Sequence, residues 1–436
     1  MGSGPAVASI SIGTRTIRKM TIRILPFIFL LFVVALLDRV NIGFAALTMN
    51  RELAITSQQY GLVFGIFFFG YFFFEIPSNL LLHKIGAQVW IARILISWGI
   101  VAMLTGLVHT VHQLYIVRFL LGLAEAGYFP GMALYLTYWF PQREQARALA
   151  LLIAAIPVAT ILGAPVSGLI LDHVHWLGVG SWRWLLILEG TPALVCGALT
   201  YFLLPNRPQE AKFLTADEKE WIRAELGREE QQKLEQCRYS ALQALASGRV
   251  WHLVFIYFGI TVGNYAMQSW TPQLVKSLSS LYSNSMIGFL VSIPNLVGLA
   301  SMIIVSRSSD HKLERRYHVA IPAIIAAGAL VLLGATRSPF YSLTLLSFLA
   351  AGVYSCFGPF WALPSEFLTG FSAAAGIALI NSVGNLGGFA GPYLIGTIAT
   401  RTGSLYAGLS MAGVALFMSA MLVLILPRKA PTLVEG

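Results

Sequence analysis

Apolar residues run along this chain in long, nearly unbroken stretches divided by short polar intervals. A window of about 20 residues, the length of helix that crosses hydrocarbon, resolves twelve such stretches. They fall near 24–47, 60–82, 88–108, 113–137, 147–170 and 182–204, then near 251–275, 285–306, 318–336, 340–362, 372–399 and 404–426. Lipid offers a backbone amide no partner, so each stretch must close its own hydrogen bonds as a helix. The pattern predicts an all-α integral membrane protein of twelve transmembrane helices in two six-helix bundles, 24–204 and 251–426. Between them, residues 205–250 contain NRPQEAKFLTADEKEWIRAELGREEQQKLEQ, too charged to enter a bilayer. Thr215 and Glu218 have the spacing of a capping box, so an amphipathic helix of some five turns is expected to begin there.

The two sets resemble copies of one unit. Aligning Gly61 with Gly288 sets His83 against Asp310, and the same offset of 227 sets Pro165 against Pro392. Parallel six-helix halves related by an axis along the membrane normal are a transporter architecture, with the substrate site between the halves near the midplane. Lys and Arg fix the orientation. Arg15, Arg18, Lys19, Arg23, Lys84, Arg143, Arg147, Arg307, Lys312, Arg315, Arg316, Arg428 and Lys429 share one side with the central linker, against Arg51, Arg183, Lys276, Arg337 and Arg401 on the other. Both tails, 1–23 and 427–436, are therefore expected in the cytoplasm.

Composition agrees with hydrocarbon as the solvent: 11% of residues are charged, against about 25% in a soluble chain. The net charge of +10 lies where anionic lipid head groups would meet it and requires no nucleic acid. Cys196, Cys237 and Cys356 are too scattered for a disulfide framework or a metal site. The basic N-terminus has the outline of a signal peptide, but the apolar stretch behind it is about 24 residues long and reads as the first span. The chain carries no HExxH, GxSxG, CxxC or phosphate-binding glycine loop, which disfavours a membrane enzyme and implies no cofactor.

Against this background the charges inside the spans stand out. Asp38 and Arg39 lie side by side in LLDRVNIGFA, well inside the first span, and VRFLLGLAEAGYFPG of the fourth carries Arg118 and Glu125. Seven residues apart, Arg118 and Glu125 share nearly one helix face, about 10.5 Å apart along the axis. A charge at a helix centre costs about 2.5–3.5 kcal/mol on insertion scales, so such groups face a partner or a wet cavity. Two acids and two bases sum to zero. They form either a structural staple between the first and fourth helices, or a site where the acids exchange protons and a base holds an anion.

The runs LDRVNIGFA, EIPSNLLLHKIGAQVWI, RFLLGLAEAGYFPGMALYLTYWFP, WRWLLILEGTPAL and NSVGNLGGFAGPYLIG resemble the anion:cation symporter family of the major facilitator superfamily, in particular its bacterial hydroxyphenylacetate, tartrate and phthalate permease-like branch. The resemblance extends from about residue 20 to 426. It implies twelve helices, a multi-pass protein of the bacterial inner membrane, a monomer, and uptake of a small organic carboxylate by alternating access, driven by a proton gradient with no cofactor. By the same resemblance Asp38 and Glu125 couple protons, Arg39 meets the substrate carboxylate, and Arg118 pairs with the first-helix acid. Tyr71 matches a cavity tyrosine, with packing between helices as its plain alternative. Asn385 matches an asparagine that contacts substrate in sugar-acid members, with an interhelical hydrogen bond as its alternative. From its place in GNYAMQSWTPQL, Gln268 is a further candidate for the cavity wall.

The chain also departs from the family pattern. In LLLHKIGAQ, His83 stands where the superfamily's loop motif has an aspartate, while Asp310 in SRSSDHKLERR holds the equivalent place of the second half. The inner gate is thus expected to rest on Asp310 more than on His83. Ile156 and Pro157 stand where sugar-acid members carry a polar residue, which favours an aromatic or partly apolar carboxylate over a polyhydroxylated one. A galactonate-like symporter remains the alternative. LGAPVSG faintly resembles an exporter motif, but two cavity arginines disfavour export of cationic drugs. A passive channel would need no coupling acids.

Overall fold

A computed structural model describes residues 11–235, 246–336, 338–364 and 370–426, with the backbone alone at a few further positions, His83 among them. All regular structure among the described residues is helical. The first half comprises α1 (Ile12–Glu52), α2 (Ser57–Ile85), α3 (Ala87–Thr105), α4 (Val111–Glu125), α5 (Tyr128–Trp139), α6 (Gln142–His173) and α7 (Ser181–Leu203). After α8 (Ala216–Glu235) come α9 (Gly248–Leu278), α10 (Asn284–Lys312), α11 (Arg316–Leu332), α12 (Pro339–Ala362), α13 (Gly370–Gly384), α14 (Gly387–Thr402) and α15 (Leu405–Ile425).

Among the described residues, eleven helices are long and apolar enough to cross a membrane, with α4 and α5 counting as one. The remaining expected span, 372–399, is divided at Asn385 and Leu386 into α13 and α14, of 15 and 16 residues. The break between α4 and α5 has a local cause. Gly127 turns the chain at φ +82°, a left-handed conformation that costs little only without a Cβ. A Cβ there would also strike the Ser78 side chain of α2.

The internal repeat reappears as packing. The halves meet where α2 runs along α14, α6 along α10, and α1 crosses α9. Gly61 lies against the backbone at Pro392 and Tyr393, and Gly288, its counterpart at the 227 offset, lies against the backbone at Ala164 and Pro165. Gly396 on Ser57 and Gly168 on Asn284 repeat the exchange. These glycine contacts of one half thus have their mirror in the other, as a pseudo-two-fold requires. Small residues are needed here because helices in lipid associate by close packing rather than by a hydrophobic drive.

The end of the bundle carrying the start of α1 and α8 is the basic side, expected to be the inner end. There α8 begins as its sequence implies: Glu218 accepts from the Thr215 amide at 3.0 Å and Thr215 Oγ1 from the Glu218 amide at 3.4 Å. Glu218 also accepts from Arg15 at 2.8 Å and Lys19 at 2.9 Å, docking α8 onto α1, while Trp221 covers Gly13. Burial alone would raise the Glu218 carboxyl, but the Thr215 amide, Lys19 and Arg15 outweigh it and hold it below its ordinary value. Glu314, at the turn into α11, is likewise held low: against burial, it accepts from the Tyr317 amide and from His318.

Candidate functional site

Between the halves lies a cavity lined by α1, α2, α4, α5 and α6 of the first half and by α9, α12, α13 and the α13–α14 break of the second. Phe32 to Arg39 and Tyr257 to Tyr265 lie near the middle of α1 and α9, Ile153 and Ile156 just on the basic side of the middle of α6, and Phe357 and Trp361 near the basic end of α12. Toward the outer end the halves are sealed. Tyr60 donates to the Ser269 carbonyl at 2.8 Å, and the Gln58 amide to Thr400 Oγ1 at 2.9 Å. Asp172 at the end of α6 accepts from Asn284 Nδ2 at 2.8 Å, and from Ser285 through both amide and hydroxyl at 2.7 Å. These contacts close the cavity toward that end.

At the head of the cavity Arg39 pairs with Glu125 through Nη2 and donates from Nη1 to the Tyr265 hydroxyl at 3.2 Å. Its guanidinium lies 5.4 Å from the Phe67 ring centre and 5.7 Å from that of Tyr71. The pair leaves valences open, since neither Arg39 Nε nor Glu125 Oε2 has a partner among the described residues. Asp38 and Arg118 form a second layer behind it, each 3% exposed and neither lining the cavity. Asp38 Oδ1 accepts from Asn41 Nδ2 at 2.9 Å, and Arg118 Nε donates to the Val63 carbonyl at 3.4 Å. Arg118 lies within electrostatic reach of Asp38 and Glu125, but among the described residues it forms no ion pair. Phe67 separates the two guanidiniums, with Arg118 also 5.4 Å from its centre.

Tyr71 and Asn385 both line this cavity, and so does Ile156. Asn385 Nδ2 donates to Asn381 Oδ1 at 3.1 Å, and Asn381 Nδ2 donates onward to Glu75 Oε1 at 2.8 Å. Gln268 does not line it. It lies in a separate small pocket toward the sealed end with Thr160 and Asn295, one hydrogen bond from Asn264, which does line the cavity. Asp310 stays within its own half, accepting from Arg315 at 2.6 Å at the exposed turn between α10 and α11. The side chain of His83 lies outside the described residues, as do Cys237 and the 427–436 tail.

Two further acids, Glu75 and Glu189, are of the same intramembrane class as Asp38 and Glu125 yet are absent from the candidates named on sequence alone. They stand in EIPSN and LILEGTP, where the criterion of a charge in an apolar stretch would have found them. Glu75 of α2 is 3% exposed and ties the halves together, accepting from Asn381 and Ser382 of α13. Tyr257, Thr261, Asn264 and Tyr265 carried no such signal. The charged groups of the cavity wall come from the first half, whereas its amides and the Thr261 hydroxyl come from the second.

Comparison with known proteins agrees with this architecture. A model of the Major Facilitator Superfamily matches residues 28–392. An Agrobacterium vitis protein named "Putative tartrate transporter" is 44% identical over 418 residues, 96% of each chain. A quinolone resistance transporter of Acinetobacter baumannii is 38% identical over 413 residues, 95% of each chain. Among solved structures, a bacterial homologue of the human lysosomal transporter Spinster, inward-facing and unoccupied, superposes with a TM-score of 0.70 at 16% identity, covering 97% of this chain and 96% of that one. With two pseudo-symmetric halves, a central cavity and a family match over most of its length, this chain belongs to the Major Facilitator Superfamily and is a multi-pass membrane transporter.

Proposed function

We propose that this protein is a proton-coupled importer of a small organic carboxylate in a bacterial inner membrane, working as a monomer by alternating access. The observation that carries the reading is the Arg39–Glu125 pair at the head of the central cavity. A guanidinium there presents a planar set of donors that a carboxylate can accept in place of Glu125. Around it, Phe32, Tyr71, Tyr128, Phe129, Tyr257 and Ile156 offer a largely apolar wall, which favours an aromatic or otherwise compact carboxylate over a polyhydroxylated sugar acid. The name of the A. vitis relative points to the same class of substrate.

The cycle follows from charge balance. With the cavity open outward, Glu125 and Asp38 take up protons, and Arg39 is released from its acid. The freed arginine binds the substrate carboxylate. With both acids neutral, the occluded site holds Arg39 and Arg118 against the substrate, so a dicarboxylate balances it and a monoanion leaves one positive charge uncompensated. On the inner side the acids lose their protons, Glu125 recaptures Arg39, and the substrate leaves. Two protons with a monoanion would move one positive charge inward, worth about 2.3 kcal/mol per 100 mV.

The test is uptake by purified protein in liposomes under an inward proton gradient, with labelled tartrate, phthalate, 4-hydroxyphenylacetate and galactonate in parallel. One carboxylate is expected to accumulate only with the gradient, and Arg39→Ala to abolish it. The relative named for quinolone resistance supplies the competing reading, a proton-coupled exporter. Loss of preloaded drug on imposing the gradient, with no carboxylate accumulating, would establish export instead.

A further inference from the structure

Glu189 belongs to α7, a helix that packs on α1, α3 and α6 and contributes no residue to the cavity wall. It is 4% exposed. Its Oε1 accepts from Ser167 Oγ of α6 at 2.7 Å, and its Oε2 has no partner among the described residues. Asn41 of α1 stands between Glu189 and Asp38. The Asn41 Nδ2 donates to Asp38 Oδ1 at 2.9 Å, while its Oδ1 is left without a donor. Asp38 is the charged group that reaches Glu189 from α1; α6 supplies Ser167, and neither α3 nor α6 brings it a charge among the described residues.

An ionised carboxylate without a cation is costly in hydrocarbon, and a carboxylic acid needs none. A proton on Glu189 Oε2 also turns an orphan acceptor into a donor, and Asn41, a neighbouring side chain, has an amide oxygen that lacks one. Turning the Asn41 amide over exchanges its two ends and moves the same requirement to Asp38, so the three side chains hold a proton in either arrangement. We propose that Glu189 is a third acid of the proton pathway, carrying one transported proton of its own and linked to Asp38 through Asn41, so that α7 takes part in coupling rather than only bracing α1. This rests on the proton-coupled reading of the cavity. The buried second layer thereby acquires a function of its own, with Asp38 and Glu189 titrating as a linked pair away from the substrate.

Glu189→Gln keeps the outline of the side chain, can still accept from Ser167 and can donate to Asn41 Oδ1, so the bundle is expected to fold. Wild type and variant in lipid bilayers are compared by two readouts: the infrared absorption of protonated carboxyl groups, and the number of protons moved per substrate, from the gradient at which net flux reverses. The variant is expected to lose one carboxylic-acid band and one cotransported proton. On a gradient of one pH unit, each proton lost lowers accumulation about tenfold. An unchanged band, or an unchanged proton count, overturns the proposal and leaves Glu189 a hydrogen-bonding brace. A wild type whose flux ignores the proton gradient overturns the symport reading and this pathway with it, and that outcome is recognised before any variant is made.

Discussion

Glu125→Gln separates two roles that the Arg39–Glu125 pair performs at once. In the wild type an incoming carboxylate must displace the Glu125 carboxylate from the Arg39 guanidinium. The amide still accepts from the charged guanidinium, but an ion pair becomes an ion–dipole hydrogen bond, and a loss on the order of one hydrogen bond's net contribution lowers the cost of displacement by roughly 1–1.5 kcal/mol. The variant is therefore expected to bind substrate about tenfold more tightly at pH 7, a gain of affinity from a substitution in the site. It is also expected to lose the pH dependence of binding. In wild type, affinity falls as pH rises because Glu125, once ionised, recaptures Arg39; glutamine has no proton to lose. Coupling is lost in exchange: swapping of labelled for unlabelled substrate persists, while accumulation against a gradient fails. Equilibrium binding of labelled substrate to purified protein across pH 5–8, with exchange and accumulation in liposomes, supplies each measurement. Weaker binding by the variant, or accumulation at the wild-type level, would refute the reasoning.

Asp172→Asn should loosen the outer seal. The carboxylate accepts four hydrogen bonds from Asn284 and Ser285 at the start of α10, and losing the charge removes about 2 kcal/mol from the state closed at this end, a population shift of about thirtyfold. Spin-label distances between the outer ends of α6 and α10 should broaden toward longer values, and an unaltered distribution would exclude this role. Gly127→Ala places a Cβ in a left-handed conformation and against Ser78, costing at least about 1–2 kcal/mol and lowering the thermal unfolding midpoint in detergent. For Glu218, the folded-state carboxyl is held below the ordinary 4.5, so its contribution is complete above pH 4.5 and is lost as pH falls through the lower folded value. Trp221 fluorescence should report α8 leaving α1 below about pH 4.5, and in Glu218→Gln this transition should be absent.

The site was only partly legible in advance. Asp38, Arg39, Arg118 and Glu125 announce themselves because a charge in hydrocarbon is costly and therefore rare. What the sequence left open was how they pair: Arg39 reaches Glu125 across two helices, whereas its neighbour Asp38 faces away to Asn41 and lies behind the cavity wall. Adjacent residues on a helix point about 100° apart, and only packing decides which of them meets the cavity. Gln268 illustrates the same limit, being one turn from the cavity-lining Asn264 yet in a different pocket.

The sequence by itself determined the solvent, the helices, the duplication and the cast of buried charges. These follow from local composition, since a backbone in lipid has no alternative to the helix and a run of about 20 apolar residues has nowhere else to go. Only the tertiary structure decided which faces meet, at which end the cavity is closed, and which partners Glu75 and Glu189 find. The physical reason is that lipid tails and protein interior are equally apolar, so a membrane helix carries little pattern to tell its inward face from its outward one. In α2, α13 and α14 that choice is made by glycine clearances and by hydrogen bonds between residues more than 300 positions apart, information that no window along the chain contains.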